Sequence, residues 1–165
     1  MKRAIHLYWQ ATCAPAVDSV AQNLATFFPV TVDFAAVKEP PLQAFDTARG
    51  QYDADWLLRE LPELDANNAD KPLVLWLIKE DISCAGCDYL YGAAGNNAAL
   101  VSAARTGFGE NLLKEVCHEV GHLFGLEHCS DSCFMHASSN KRQLEVKPLR
   151  LCDECGSRVA LQSNL

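Results

Sequence analysis

The stretch HEVGHLFGLEHCSDSCFMH, His118 to His136, gathers four of the chain's five histidines, two of its eight cysteines and the only methionine after the first residue. Any fold open to this chain has to house that concentration of ligand-type side chains, so its local conformation comes first. From about Asn111 to Phe124, residues Leu112, Leu113, Val116, Val120, Leu123 and Phe124 fall within one arc of a helical wheel. That is an amphipathic helix with a buried stripe. His118 and His122 lie on the opposite side, about 40° apart and one turn from each other. An isolated histidine is ordinarily a packing residue, but two turned away from the core on one helical face are poor candidates for that role.

Two imidazoles at i and i+4 can reach a single ion. Glu119 sits about 100° around the same helix, where a carboxylate can approach a metal-bound water without being a ligand. The helix then meets Gly125. Glycine costs about 1 kcal/mol relative to Ala inside a helix but is favoured where the chain leaves in a left-handed conformation. A turn there brings His128 back as a third nitrogen. Three neutral ligands leave a fourth position open, the arrangement of a catalytic rather than a structural zinc. Such an ion lowers the pKa of its water to about 7 and polarises a carbonyl, while Glu119 accepts the proton and passes it to a leaving amine. This is the chemistry of amide hydrolysis. The pattern His-Glu-x-x-His-x-x-Gly-x-x-His would arise by chance in a chain this long on the order of once in 10⁵.

A second set of ligands begins one residue later. Cys129 and Cys133 in CSDSC, with Cys152 and Cys155 in CDEC, can supply a tetrahedral four-thiolate site typical of closed structural zinc. Such a site would tie the segment after the helix to the C-terminal residues and help to hold His128. Cys13 and Cys117 stand alone, and a lone cysteine is ordinarily a buried inert thiol.

A chain of 165 residues is expected to form one core. Its net charge of −7 disfavours nucleic acid and anionic membrane as partners. The N-terminal MKRAIHLYWQATC begins like a secretion signal, but His6 and Gln10 break its apolar run. No stretch has the length needed to span a bilayer. A cytoplasmic protein is expected, in which cysteines read as metal ligands or reduced thiols rather than a disulfide framework.

Along the chain, Ala4 to Trp9 and Val30 to Ala35 alternate as strands. Between them Val17, Val20, Leu24, Phe27 and Phe28 recur at helical spacing after Pro15. A βαβ opening follows, with a parallel pair. KEPPLQAFDT reads as a loop, and a helix is expected from about Tyr52 to Leu61. PLVLWLIKED suits a strand covered on both faces. Two short strands, Asp88 to Gly92 and Ala98 to Ala104, are expected around a Gly-Asn-Asn turn.

The three-histidine pattern resembles the extended zinc motif of the metzincins, in which a methionine turn lies beneath the metal. Met135 is the matching position. A cysteine directly after the third histidine, a Cys-x-Met (Cys133, Met135) and a later Cys-x-x-Cys (Cys152, Cys155) resemble the archaemetzincin family within that clan, as do RGQYDADWLL, VSAAR and KEVCHE. The likeness covers roughly 49–155. Two spacings depart from the family pattern, with three residues rather than four between Cys129 and Cys133, and sixteen rather than seventeen between Met135 and Cys152. CAGC, with Cys84 and Cys87, is not part of that pattern. It is a redox pair, a competing ligand pair or, by default, two unremarkable thiols in a loop near the cleft.

The resemblance implies an α/β (α+β) fold in which a twisted mixed sheet packs on helices that include the zinc-binding helix. It implies one catalytic domain over 1–165. Within it, an N-terminal part (1–127) carries the active-site helix at about 108–125, and a small C-terminal part (128–165) carries the methionine turn and the four-cysteine zinc. A zinc metallopeptidase follows, with two zinc ions per chain, His118, His122 and His128 on the catalytic one, Cys129, Cys133, Cys152 and Cys155 on the structural one, and Glu119 as catalytic residue. A peptide or protein substrate is expected, lying along the strand near Ala98 to Ala104, with a monomeric enzyme and no nucleic-acid or membrane partner. The alternatives are a non-catalytic zinc-stabilised peptide-binding protein and a hydrolase of a non-peptide amide. Endopeptidase and aminopeptidase action are both open.

Overall fold

The computed structural model describes residues 2–61 and 71–162. Strand β1 (Arg3–Trp9) leads through a 3-10 turn containing Pro15 to helix α1 (Val17–Phe27) and strand β2 (Val30–Val37). β1 and β2 pair in parallel, Arg3 opposite Val30, which completes the expected βαβ opening. The Pro-rich segment holds a short 3-10 turn at Leu42–Ala44 and strand β3 (Phe45–Asp46), followed by β4 (Gln51–Asp53) and helix α2 (Ala54–Glu60). Asp53 ends β4 and caps α2, accepting from the Trp56 N–H at 3.0 Å. The expected helix therefore starts two residues late.

After β5 (Leu73–Ile78) and β6 (Ile82–Ser83) comes a hairpin of β7 (Gly92–Gly95) and β8 (Ala98–Ser102). Its first strand lies further along the chain than Asp88 to Gly92. Asn96 and Asn97 both take positive φ, 49° and 65°, which makes them the two central residues of a tight turn with Gly95 opposite Ala98. The last residues of the expected second strand open helix α3 (Ala103–Thr106) instead. Helices α4 (Glu110–Leu123), α5 (Lys141–Val146) and α6 (Asp153–Gln162) follow.

The main sheet has the order β2-β1-β5-β8-β7, parallel except for β7, and β3-β4-β6 form a small second sheet. All six residues of β5 are buried because alternate side chains enter different layers. Leu73, Leu75 and Leu77 meet α1 and α4 through Val20, Leu24, Val116 and Val120, whereas Val74, Trp76 and Ile78 meet Leu57 of α2 and Tyr52 of β4.

α4 has its apolar stripe where the periodicity puts it, with Leu112, Val116, Val120 and Phe124 buried. The other side departs from expectation. Lys114, Glu115, Cys117, His118, Glu119 and Gly121 are buried too, and His118 is only 5% exposed. The histidine face turns away from the sheet but not from the protein. The chain beyond Gly125 folds back over α4, and Cys133, Phe134, Met135, Cys155 and Val159 join the same core cluster. Phe134 packs edge-on to Phe27, ring centroids 5.3 Å apart. Among the described residues no helix is long and apolar enough to cross a membrane.

Candidate active site

α4 ends as the glycine predicts. Gly125 takes φ +70°, its N–H donates to His122 O at 2.9 Å, and the Leu126 N–H donates to Gly121 O at 3.0 Å. This pair of bonds is the Schellman pattern, which satisfies two end carbonyls while reversing the chain. The reversal places the Leu126 carbonyl 2.8 Å from His122 Nδ1. Further along, the Phe134 carbonyl comes within 2.9 Å of His118 Nδ1.

Those two contacts determine both tautomers. A carbonyl only accepts, so each Nδ1 carries the proton and each Nε2 presents a lone pair. The two Nε2 atoms face each other at 3.2 Å. Two lone pairs this close repel unless a cation sits against both. Zinc–nitrogen bonds of about 2.05 Å at a tetrahedral angle require a nitrogen separation of about 3.3 Å, so the pair fits that ion. His128 completes the set, and the candidate ligand atoms of all three histidines lie within 4.8 Å of one another. Burial, with the Lys147 charge adding to it, lowers the His118 pKa to about 3, keeping it neutral and available as a ligand.

Glu119 lines the same cavity as the three histidines. It is 5% exposed, and burial pushes its carboxyl well above the ordinary range, with Glu115 one turn earlier adding to the rise. Burial also raises Glu115, against the pull of Lys147, whose Nζ lies 3.6 Å from Glu115 Oε2. Gly92 backs Glu119 from the sheet, where a Cβ would stand 2.8 Å from Glu119 Cγ. Under the helix, Met135 is fully buried and packs so closely on Gly121 that a side chain there would collide with its sulfur. Glu115, Lys147 and Gly92 were missed by sequence reasoning. A glutamate one turn before the motif was visible, but its lysine partner lies 32 residues on, and nothing local marks it.

The cavity holds about 440 Å³, the size of a small ligand or a few peptide residues. One wall is Asp88 to Gly92 and the other Ala137 to Ser139, joined where the Tyr89 hydroxyl donates to Ser139 O at 3.2 Å. Arg105 stacks over the Tyr89 ring at 4.0 Å and makes two 2.8 Å hydrogen bonds to Asp81. β8 cannot receive an extended peptide as expected, because β5 and β7 occupy both of its edges. Among the described residues the outer strand on this side of the sheet is β7, whose Gly92 lines the cavity.

The four cysteines also converge. Cys129, Cys133, Cys152 and Cys155 place their sulfurs within 4.8 Å of one another, and Cys129 and Cys152 stand 3.7 Å apart. Four zinc–sulfur bonds of about 2.3 Å call for a separation of about 3.8 Å. The backbone N–H groups of Asp131 and Met135 donate to Cys129 and Cys133, each at 3.4 Å. Cys13 and Cys117 are buried, and burial pushes their thiols up to about 11 and 12. Cys84 and Cys87 form a disulfide, contrary to the default of two thiols. Their loop is fixed by Arg49, whose guanidinium donates to the Cys84, Cys87 and Asp88 carbonyls. His136 joins neither group; its Nδ1–H donates to Cys129 O at 3.0 Å.

Residues 29–161 match Peptidase family M54. The chain is 29% identical over 151 residues to the archaemetzincin of Archaeoglobus fulgidus, covering 87% of this chain and 90% of that protein. The crystal structure of archaemetzincin from Methanopyrus kandleri superposes with a TM-score of 0.86 at 26% identity, over 99% of this chain and 97% of the other. A zinc-dependent peptidase from Methanocorpusculum labreanum gives 0.77 at 26% identity, over 94% and 99%. Fold, cleft and relatives together define a zinc metallopeptidase, an enzyme whose substrates are peptides or proteins. Within that class the chain belongs to Peptidase family M54, the archaemetzincin family.

Proposed function

We propose that this enzyme hydrolyses the peptide bond of a chain laid along the outer edge of β7, with His118, His122 and His128 holding a catalytic zinc. Cys129, Cys133, Cys152 and Cys155 hold a second, structural zinc, giving two ions per chain. Residues 1–165 act as one catalytic domain, in which 128–165 brings the methionine turn at Met135 and the cysteine site against the helix of 1–127. The observation that carries the reading is the 3.2 Å approach of two Nε2 lone pairs beside a buried glutamate.

When bound, zinc acidifies the attacking water and polarises the scissile carbonyl. Glu119 takes the proton from that water and returns it to the leaving amine nitrogen. Its place suits both halves of the transfer, since it lines the same cavity as the three histidines. The Phe134 and Leu126 carbonyls hold the imidazole rings in the tautomer that faces the cavity. Main-chain groups of β7 align the peptide by strand addition.

Glu119→Ala should keep both zinc ions and the fold and lose on the order of 10²- to 10⁴-fold in peptide cleavage. Wild type and variant compared on a library of peptides with free and blocked N-termini provide the test. Equal cleavage by the two proteins would remove Glu119 from the mechanism.

A further inference from the structure

We infer that Lys147 and Glu115 act as positioning residues for the Glu119 carboxylate, Lys147 reaching it through Glu115 from the C-terminal segment. The inference rests on the peptidase reading above for its kinetic consequence, but its geometry stands independently.

Glu115 lies one helical turn before Glu119, on the same face of α4 and in the same cavity lining. A carboxylate with so little exposure needs a partner. Its charged partner is the Lys147 ammonium at 3.6 Å, and the Glu119 side chain lies one turn on along the same helical face. The Lys147 side chain is 2% exposed and that of Glu115 7%, so solvent supplies neither charge with a substitute. Lys147 is itself fixed. Its Nζ donates to His136 O at 3.3 Å, and its backbone N–H closes the end of α5 on Gln143 O. Pro148 follows and restricts its backbone.

Glu119 is therefore confined on two sides. Gly92 of the sheet bounds it on one, with no room for a methyl group between them. Glu115 bounds it on the other. Lys147 is absent from the cavity lining, so it touches no substrate. The Lys147 ammonium at 3.6 Å already balances the charge of Glu115 within the protein.

The test uses the zinc-loaded full chain carrying Glu115→Gln together with Lys147→Met, which removes both charges and leaves no unpaired ion in the interior. Expected are unchanged zinc content, unchanged KM, and a fall in kcat on the order of 100-fold, the cost of a misplacement of about 1 Å. Lys147→Arg alone, which keeps the charge, should restore most of kcat. A crystal structure of the double variant should show the Glu119 carboxylate displaced. This readout holds even if the peptidase reading fails, a failure that equal cleavage by wild type and Glu119→Ala would reveal. Should the double variant not fold, Glu115→Asp, which keeps the ion pair but withdraws the carboxyl, should give the same split, with kcat lowered and KM unchanged. Either of two results overturns the inference: Glu119 in place with kcat within about twofold of wild type, or a raised KM with unchanged kcat, which would assign Glu115 to substrate binding.

Discussion

Gly92 is the smallest feature on which the site depends. Its φ is not positive, so backbone freedom is not what requires glycine there. An alanine methyl at this position would meet Glu119 Cγ at 2.8 Å, Leu100 O at 3.0 Å and Glu119 Oε1 at 3.2 Å. Carbon atoms rest at about 3.5 to 4.0 Å, so the shortfall against Cγ is about 0.7 to 1.2 Å. Leu100 cannot yield, because β8 is hydrogen-bonded to β5 on one side and β7 on the other, with Leu100 opposite Trp76 and Ala93. The Glu119 side chain must move by about 1 Å. A displacement of that size costs on the order of 100-fold in rate, or about 2.7 kcal/mol of transition-state stabilisation. The fold should lose no more than the roughly 1 to 3 kcal/mol typical of an overpacked site. Gly92→Ala should therefore bind zinc at the wild-type level, melt at a modestly lower temperature and cleave peptide about 100-fold more slowly. Parallel measurement of metal content, thermal unfolding and kcat separates these effects. Wild-type kcat in a folded variant would refute the claim that Glu119 is wedged against β7, and loss of zinc would show that the methyl acts on the histidines instead.

Cys152→Ser should release one zinc ion and lower the melting temperature, because a closed thiolate site contributes its binding free energy to folding; an unchanged melting curve would count against a structural ion. In the metal-free chain, the His118 pKa of about 3 against an ordinary 6.5 means that the unfolded chain binds a proton the folded chain refuses. Stability relative to His118→Phe should then fall as pH is lowered from 6.5 towards 3, by several kcal/mol, on the order of 1.4 per unit. Urea titrations of chelated protein across that range check the sign. His118→Phe should remove the loss, leaving the raised carboxyls of Glu115 and Glu119, whose contribution runs the other way and declines as pH rises.

The parts of the site that were legible in the sequence share one property, that their geometry is local. His118, Glu119 and His122 are placed by the pitch of one helix, and His128 by a glycine that can only end it. β5 announced itself because a strand covered on both faces has no polar alternation. What the sequence hid depends on distant segments meeting. The histidine face of α4 reads as outward on a helical wheel, yet the wheel carries no information about Phe134 and Met135 folding back over it. Lys147 looks like any surface lysine until Glu115 is beside it. The expected substrate edge falls on β8 because only the order of strands in the sheet, which composition does not reveal, decides that β7 is outermost.

The two ligand sets differ in how they would tolerate a change in chain length. No helix or strand lies between Leu123 and Lys141, so the segment carrying Cys129 and Cys133 is irregular backbone. One residue fewer there than in the family pattern still leaves four sulfurs within 4.8 Å of one another. The histidine pair has no such slack. One residue inserted between His118 and His122 would turn an imidazole by about 100° and advance it about 1.5 Å. Over generations of insertion and deletion, the cysteine spacing can drift while the helical spacing stays rigid, so the number of residues between ligands reports which of them a helix holds.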